Sequence, residues 1–264
     1  GARRTKTDRR DAAVLSDVSC RIDLPSVHVP SHLSRETKSL CGMRDTLVQS
    51  RTQVINTIRR YLRRHLKRTG QGTCVTLEAR TTKHFATTGQ EMPRFLRRQF
   101  AMLNHLHQAV KEATMEVEEW ADANPVCVRL MTTPGVGPVT ALRFVAAIDS
   151  LNRFESAHKL EAYLGLTPGE DSSSERRRIT SITKAGPTAV RWTLVQAAWS
   201  ALRTRPLDPM CIWTRKIAHR RGARIAIVAL ARKLAGILFA LWRDGTTYQP
   251  CKAALQEETT PAQP

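Results

Sequence analysis

Two runs of apolar side chains spaced seven residues apart constrain this chain more than any other feature. Leu40, Leu47, Val54 and Tyr61 form the first run, and Leu96, Leu103, Val110 and Val117 form the second. A side chain recurring every seven residues returns to nearly the same side of an α-helix, so each run specifies a long helix with one buried stripe. The first helix is expected over residues 32–68, with Met43 and Ile58 filling its seam. The second carries Phe100 and Trp120 near its stripe. Residues 69–92 between them are rich in Thr and Gly, and Gly70 and Gly72 break the helical pattern, so this stretch reads as a linker. Two amphipathic helices joined in this way predict an antiparallel coiled-coil arm.

The second half of the chain reads as a compact set of shorter helices. Ser156 is placed to cap a helix that turns Leu160, Tyr163 and Leu164 inward. A helix from Pro187 to Arg203 buries Val190, Leu194, Ala197, Ala198 and Leu202, while its Trp192 and Trp199 could pack in the core or stack on bases. The core is the commoner fate for both. Asp208 and Pro209 open another helix that runs through His219, and Gly222 separates it from a last one, Ala223 to Arg243. The apolar run from Ile225 to Trp242 is interrupted by Arg232 and Lys233, which marks a core helix and argues against a membrane span. Only one or two short extended pieces are expected, so the fold class is mostly α. The tail beyond Gly245 reads as disordered.

The chain carries 42 Lys and Arg against 23 Asp and Glu, a net charge of +19 that favours polyanions, above all nucleic acid, over a neutral small-molecule substrate. A ribosomal or chromatin protein would show the same balance. Arg59, Arg60, Arg63, Arg64, Lys67 and Arg68 crowd the end of the first long helix, where they complement its dipole and could track a phosphate backbone or simply form a solvated face. The six cysteines form no CxxC pair, which argues against a zinc knuckle and for reduced thiols in the cytoplasm. No signal peptide is visible.

Three short motifs carry candidate chemistry. Asp8 and Asp11 lie three apart, so on a helix they share a face and could hold one hard divalent ion; they could equally serve as caps or dipole partners. Pro134-Gly135-Val136-Gly137-Pro138 between helical segments resembles the hairpin of a helix-hairpin-helix element. There Gly135 and Gly137 let backbone N–H groups approach a phosphate, although such turns also arise for steric reasons. Ser172, Ser173 and Ser174 stand between a Pro168-Gly169 turn and a basic run, with Arg176, Arg177, Arg178, Lys184, Gly186 and Arg191 following. A serine hydroxyl attacks phosphorus only with a base, metal or strong field to help it, and the arginines could supply the field. A flexible serine-rich loop with solvated arginines is the alternative.

The run GLTP, then paired serines, a basic segment, ITKAG and an Arg-bearing apolar helix resembles the C-terminal domain of the "one-ten" group of insertion-sequence transposases, the bridge-RNA-guided serine recombinases. Lys6-Thr7-Asp8-Arg9-Arg10-Asp11-Ala12 is similar to the motif that closes the RuvC-like domain of the same group and supplies the last two acids of its DEDD site. The resemblance implies a DNA transposase with residues 1–30 as the end of an α/β RuvC-like domain, 31–124 as the arm with its linker at 69–92, 125–245 as the serine-bearing domain, and 246–264 as a disordered tail. It implies Ser173 as the nucleophile, with Ser172 beside it and Ser174 where the group has glycine. Mg²⁺ would sit on Asp8, Asp11 and two acids from segments preceding Gly1, so an N-terminally incomplete copy, inactive alone, is expected. The implied partners are DNA, a guide RNA and further copies of the chain as a dimer or tetramer, with no membrane. A noncatalytic helix-hairpin-helix DNA-binding protein and an inactive transposase remnant are the alternative readings.

Overall fold

The computed structural model describes residues 8–21, 27–65, 74–170 and 179–250. They fall into two units, Gly1–Pro30 and Ser31–Pro264. In the first, helix α1 spans Asp8–Arg21 and buries none of its residues. Its ends obey dipole logic: Asp8 and Asp11 occupy the first turn and Arg21 the last, and Arg21 pairs with Asp17 at 2.8 Å.

The second unit begins with the arm. Helix α2 spans His32–Arg64, and the Ser31 hydroxyl accepts from the Ser34 N–H at its start. Helix α3 spans Cys74–Thr87 and α4 spans Arg94–Asp122. The arm is antiparallel: Cys41 clusters with Val117 and Ala121 near one end, and Ile58 and Leu62 with Leu96 and Phe100 near the other. All four heptad residues of α4 are buried, as their spacing predicts. In α2 the buried side is offset from the heptad set. Burial therefore passes from Val54 to Ile58 and Leu62, while Tyr61 is only partly covered and Met43, expected in the seam, is exposed.

The stretch expected as a linker contains α3, a correction to the reading of residues 69–92. Leu77, Thr81 and Phe85 recur every fourth residue, and all three are buried. Leu77 and Phe85 pack with Leu96, Phe100 and Leu103 into a small core at the outer end of the arm. The threonine that suggested a loop is accommodated because the Thr81 hydroxyl donates to the Leu77 carbonyl at 2.7 Å.

The body follows as α5 (Pro125–Met131), α6 (Pro138–Ile148), a 3₁₀ turn (Leu151–Arg153), α7 (Ala157–Tyr163), strands β1 (Pro168–Glu170) and β2 (Ile179–Ile182), α8 (Thr188–Thr204), α9 (Pro209–Arg221) and α10 (Ala223–Asp244). The fold is mostly α, as expected. Helix α10 is long and apolar enough to cross a membrane by length and composition, yet here it is the core of the body. Its Ala226, Leu230, Leu234, Ala235 and Leu238 are fully buried. Its two interior cations are both engaged, since Arg232 pairs with Glu161 of α7 at 2.5 Å and Lys233 lies over the Trp213 ring at 4.4 Å.

Arm and body are joined by polar contacts as well as by packing. Asp149, at φ 64° just past α6, accepts from both the N–H (2.8 Å) and the hydroxyl (2.6 Å) of Ser31. The Ser34 hydroxyl donates to the Ala146 carbonyl at 2.7 Å. Arg143 of α6 is buried and donates to the Asp45 carboxylate at 2.8 Å and the Cys41 carbonyl at 3.3 Å. Residues 246–250, expected to belong to a disordered tail, instead pack back on the body. The Tyr248 hydroxyl donates to the Asp208 carboxylate at 2.9 Å, and its N–H donates to the Thr132 hydroxyl at 2.8 Å. The remainder of that expected tail lies outside the described residues.

Candidate active-site hairpin

The serine motif joins two strands. β1 and β2 pair antiparallel, with Pro168 opposite Ile182 and Glu170 opposite Ile179. Residues 171–178, which include Ser172, Ser173, Ser174, Arg176, Arg177 and Arg178, connect them and lie outside the described residues. What the structure shows is the base on which this segment stands.

That base is built around two glycines. Gly165 has φ 68°, and a Cβ there would stand 2.1 Å from the Ala185 carbonyl oxygen. Gly186 has φ 77°, and a Cβ there would stand 1.9 Å from the Tyr163 carbonyl oxygen. The end of α7 and the approach to α8 thus pass at backbone distance, which only glycine permits. Gly186, expected as a phosphate contact, is required by this packing. Thr183 donates its N–H to the Thr167 carbonyl and Lys184 donates to the Gly165 carbonyl, extending the hairpin ladder downward at 3.0 and 3.1 Å.

Arg191 locks the base from α8. Its Nη1 donates to the carbonyls of Leu164 and Ala185, both at 3.0 Å, and its Nη2 to the Thr188 hydroxyl at 3.2 Å. One guanidinium therefore bridges the chain entering the hairpin and the chain leaving it. Expected as a phosphate ligand, Arg191 is engaged as a clamp. Lys184 presents an exposed side chain from a left-handed backbone, φ 56°. Strain of this kind in a non-glycine residue collects at functional segments.

The Pro-Gly turn before α6 separates its two glycines. Gly135, at φ 81°, is pressed against α8: a Cβ would stand 2.2 Å from the Ala197 carbonyl oxygen and 2.6 Å from the Ala201 nitrogen. The steric alternative holds for Gly135, whose role is to seat the turn on α8. Gly137 differs, since nothing lies within 4 Å of its Cβ direction and it caps α6 with φ −103°. Packing does not require a glycine at this position.

Asp8 and Asp11 stand in the first turn of α1, three apart on one face. They offer oxygen donors of the kind a hard divalent ion takes. No group of three or more His, Cys, Asp or Glu that could hold a metal occurs among the described residues. The tryptophans depart from their commoner fate. Trp192 is 58% exposed and Trp199 40%, because Val190, Leu194, Ala197, Ala198 and Ala201 fill the buried side of α8. Sequence reading missed the partnership of Gly165 with Gly186; a glycine on each side of the serine run was its only signal.

Comparison with known proteins connects these pieces. Residues 127–209, which include the hairpin and all of α8, match the transposase IS116/IS110/IS902 family. Residues 1–66, which include Asp8, Asp11 and α2, match the DEDD transposase model of the same group. The chain is 30% identical over 249 residues to the transposase for insertion sequence element IS1111A of Coxiella burnetii, covering 92% of this chain and 68% of that protein. It is 27% identical over 251 residues to a probable family 20 transposase of Pseudomonas aeruginosa, covering 93% and 74%. It is 28% identical over 261 residues to the putative transposase y4pF/y4sB of Sinorhizobium fredii, covering 96% and 67%. A relation that runs through both the acidic helix and the serine hairpin establishes that the chain belongs to the IS116/IS110/IS902 family of insertion-sequence transposases.

Proposed function

We propose that this transposase cuts and rejoins DNA through Ser173. The observation that carries the reading is the hairpin base. Two interlocked glycines and the Arg191 clamp hold both ends of a segment that carries three serines and three arginines. A nucleophile gains most when its supports are fixed before substrate arrives. The Ser173 oxygen would attack phosphorus and form a phosphoserine linkage, while the P–O bond to the departing sugar oxygen breaks. The hydroxyl proton passes to solvent or a base, and the leaving oxygen is protonated. Reversal onto a second strand end rejoins the DNA.

Arg176, Arg177 and Arg178 would meet the phosphate oxygens as charge grows on them, with Lys184 at the edge of the hairpin and Gly137 contributing a backbone contact. Arg191 acts through the carbonyls it holds and is a positioning residue. Asp8 and Asp11 would hold Mg²⁺ together with further acids, and the ion when bound would stabilise negative charge at a phosphate. A structured guide RNA that supplies sequence choice by base pairing, and self-association through the arm, complete the proposal.

The test incubates the full-length transposase, with all four acids of its metal site, with guide RNA, Mg²⁺ and labelled DNA and resolves the products on a denaturing gel. The expected result is a covalent protein–DNA band lost in Ser173→Ala and kept in Ser172→Ala. DNA binding with no covalent band would overturn the nucleophile and favour the noncatalytic reading.

A further inference from the structure

The exposed face of α8 carries a feature that the serine chemistry does not use. Trp192, Gln196, Trp199 and Arg203 are all exposed, and their spacing of four, three and four residues puts them in one stripe along the helix. A large aromatic surface left in water beside polar side chains marks a contact site. Trp192 also forms one wall of a cavity of about 720 Å³ whose other walls include Gln49, Gln53 and Asn56 of α2 and the Arg143–Asp45 ion pair. An aromatic wall facing amide side chains suits a flat group with donors and acceptors on its edge.

The surroundings select among flat ligands. On α2, Val54, Ile58 and Leu62 face α4, and Gln49, Gln53 and Asn56 lie on the opposite side. Continuing that side by helical periodicity reaches Arg60, Arg63 and Arg64, all exposed. A stacking wall and amides that run into a stripe of arginines match a single strand, whose bases stack while its phosphates follow the cations. Regular duplex keeps its base faces covered and would use only the charges. The groove also adjoins the base of the hairpin, since Thr188 both lines it and accepts from the Arg191 clamp.

We infer that the groove between α2 and α8 binds an unpaired nucleobase on Trp192, with the flanking phosphates of a single strand on Arg60, Arg63 and Arg64. This rests on the transposase reading for the presence of nucleic acid but not on the serine mechanism. An extruded DNA base and an unpaired RNA base share this chemistry.

The experiment measures binding of a structureless 16-nucleotide single strand, in deoxyribose and ribose versions, and of a 16-base-pair duplex. It uses Ser173→Ala protein without Mg²⁺, so failure of the covalent chemistry cannot affect it. Trp192→Ala should weaken single-strand binding by roughly 5- to 150-fold, Trp192→Phe should retain most of it, and duplex binding should move less than about twofold. Arg60→Gln with Arg63→Gln should lower the single-strand salt slope by about 0.7 per arginine. The two sugar versions assign the strand to DNA or RNA. Unchanged single-strand affinity in Trp192→Ala, or an equal loss on duplex, would overturn the groove. In the Ser173→Ala protein, photocrosslinking to 5-iodouracil in the strand should map to Trp192. A cross-link only elsewhere would overturn the groove independently of how the variants fold.

Discussion

Replacing Gly135 by alanine separates a packing role from a ligand-binding one. At φ 81° an alanine adopts a left-handed conformation at a cost of about 1–3 kcal/mol. Its Cβ would also stand 2.2 Å from the Ala197 carbonyl oxygen and 2.6 Å from the Ala201 nitrogen. These are backbone atoms in the middle of α8, so no side chain can rotate aside and the helix itself must shift. Overpacking of this kind adds about 1–3 kcal/mol or more. A loss near 4 kcal/mol corresponds to a fall in Tm of roughly 8–16 °C for a domain of this size. Gly137→Ala is the control, because nothing lies within 4 Å of its Cβ direction and its φ is −103°. It should lose only about half a kcal/mol through a poorer N-cap. Thermal melts followed by circular dichroism, paired with duplex DNA binding, measure both effects. If Gly135→Ala melted within about 3 °C of wild type, or Gly137→Ala fell as far, the assignment of Gly135 to packing against α8 would be wrong.

Arg191→Ala should lower stability by about 2–4 kcal/mol through loss of the hydrogen bonds to Leu164 and Ala185. Arg191→Lys should recover only part of it, and hydrogen exchange at Thr183 and Lys184 should speed up in both. Asp45→Ala leaves the buried Arg143 guanidinium with one partner fewer and should cost about 2–4 kcal/mol in a denaturant melt. Asp45→Asn should be milder. Burial pushes the Cys127 thiol up to about 12. Because the unfolded thiol ionises first, its contribution to stability is complete below about pH 9 and shrinks as pH rises toward the folded value. The slope is at most roughly 1.4 kcal/mol per pH unit, and melts between pH 8 and 10.5 should flatten in Cys127→Ala relative to wild type. Phe85→Ala should remove about 3 kcal/mol from the small core at the end of the arm, with exchange in α3 rising before that in α10.

The long helices were legible because a heptad repeat is a long-range signal carried by many residues, and α4 follows it at every position from Leu96 to Val117. Helix α3 was not, since its anchors are only Leu77, Thr81 and Phe85, and threonines dilute the pattern until α4 is there to pack on. The serine and acidic motifs could be read as ordered residues along the chain. Their supports could not. Gly165 and Gly186 are 21 positions apart, and nothing local says that each is glycine because of the other's neighbours. Arg191 appeared as one more cation on a basic chain, and only its two carbonyl partners distinguish a clamp from a phosphate ligand. Trp192 and Trp199 were assigned by the habits of tryptophan, which the alanines and leucines on the other side of α8 override.

The polar tie at the foot of the arm gives the molecule a lever. Ser31 on Asp149, Ser34 on Ala146 and Asp45 on Arg143 fasten one end of α2 to α6. From Asp45 the helix runs 19 residues further to Arg64, about 28 Å. At that length, a tilt of 10° about the tie would displace the arginine-bearing end by about 5 Å. A pull on the outer end of the arm would thus bear on the Arg143–Asp45 pair, which is also part of the groove wall facing Trp192.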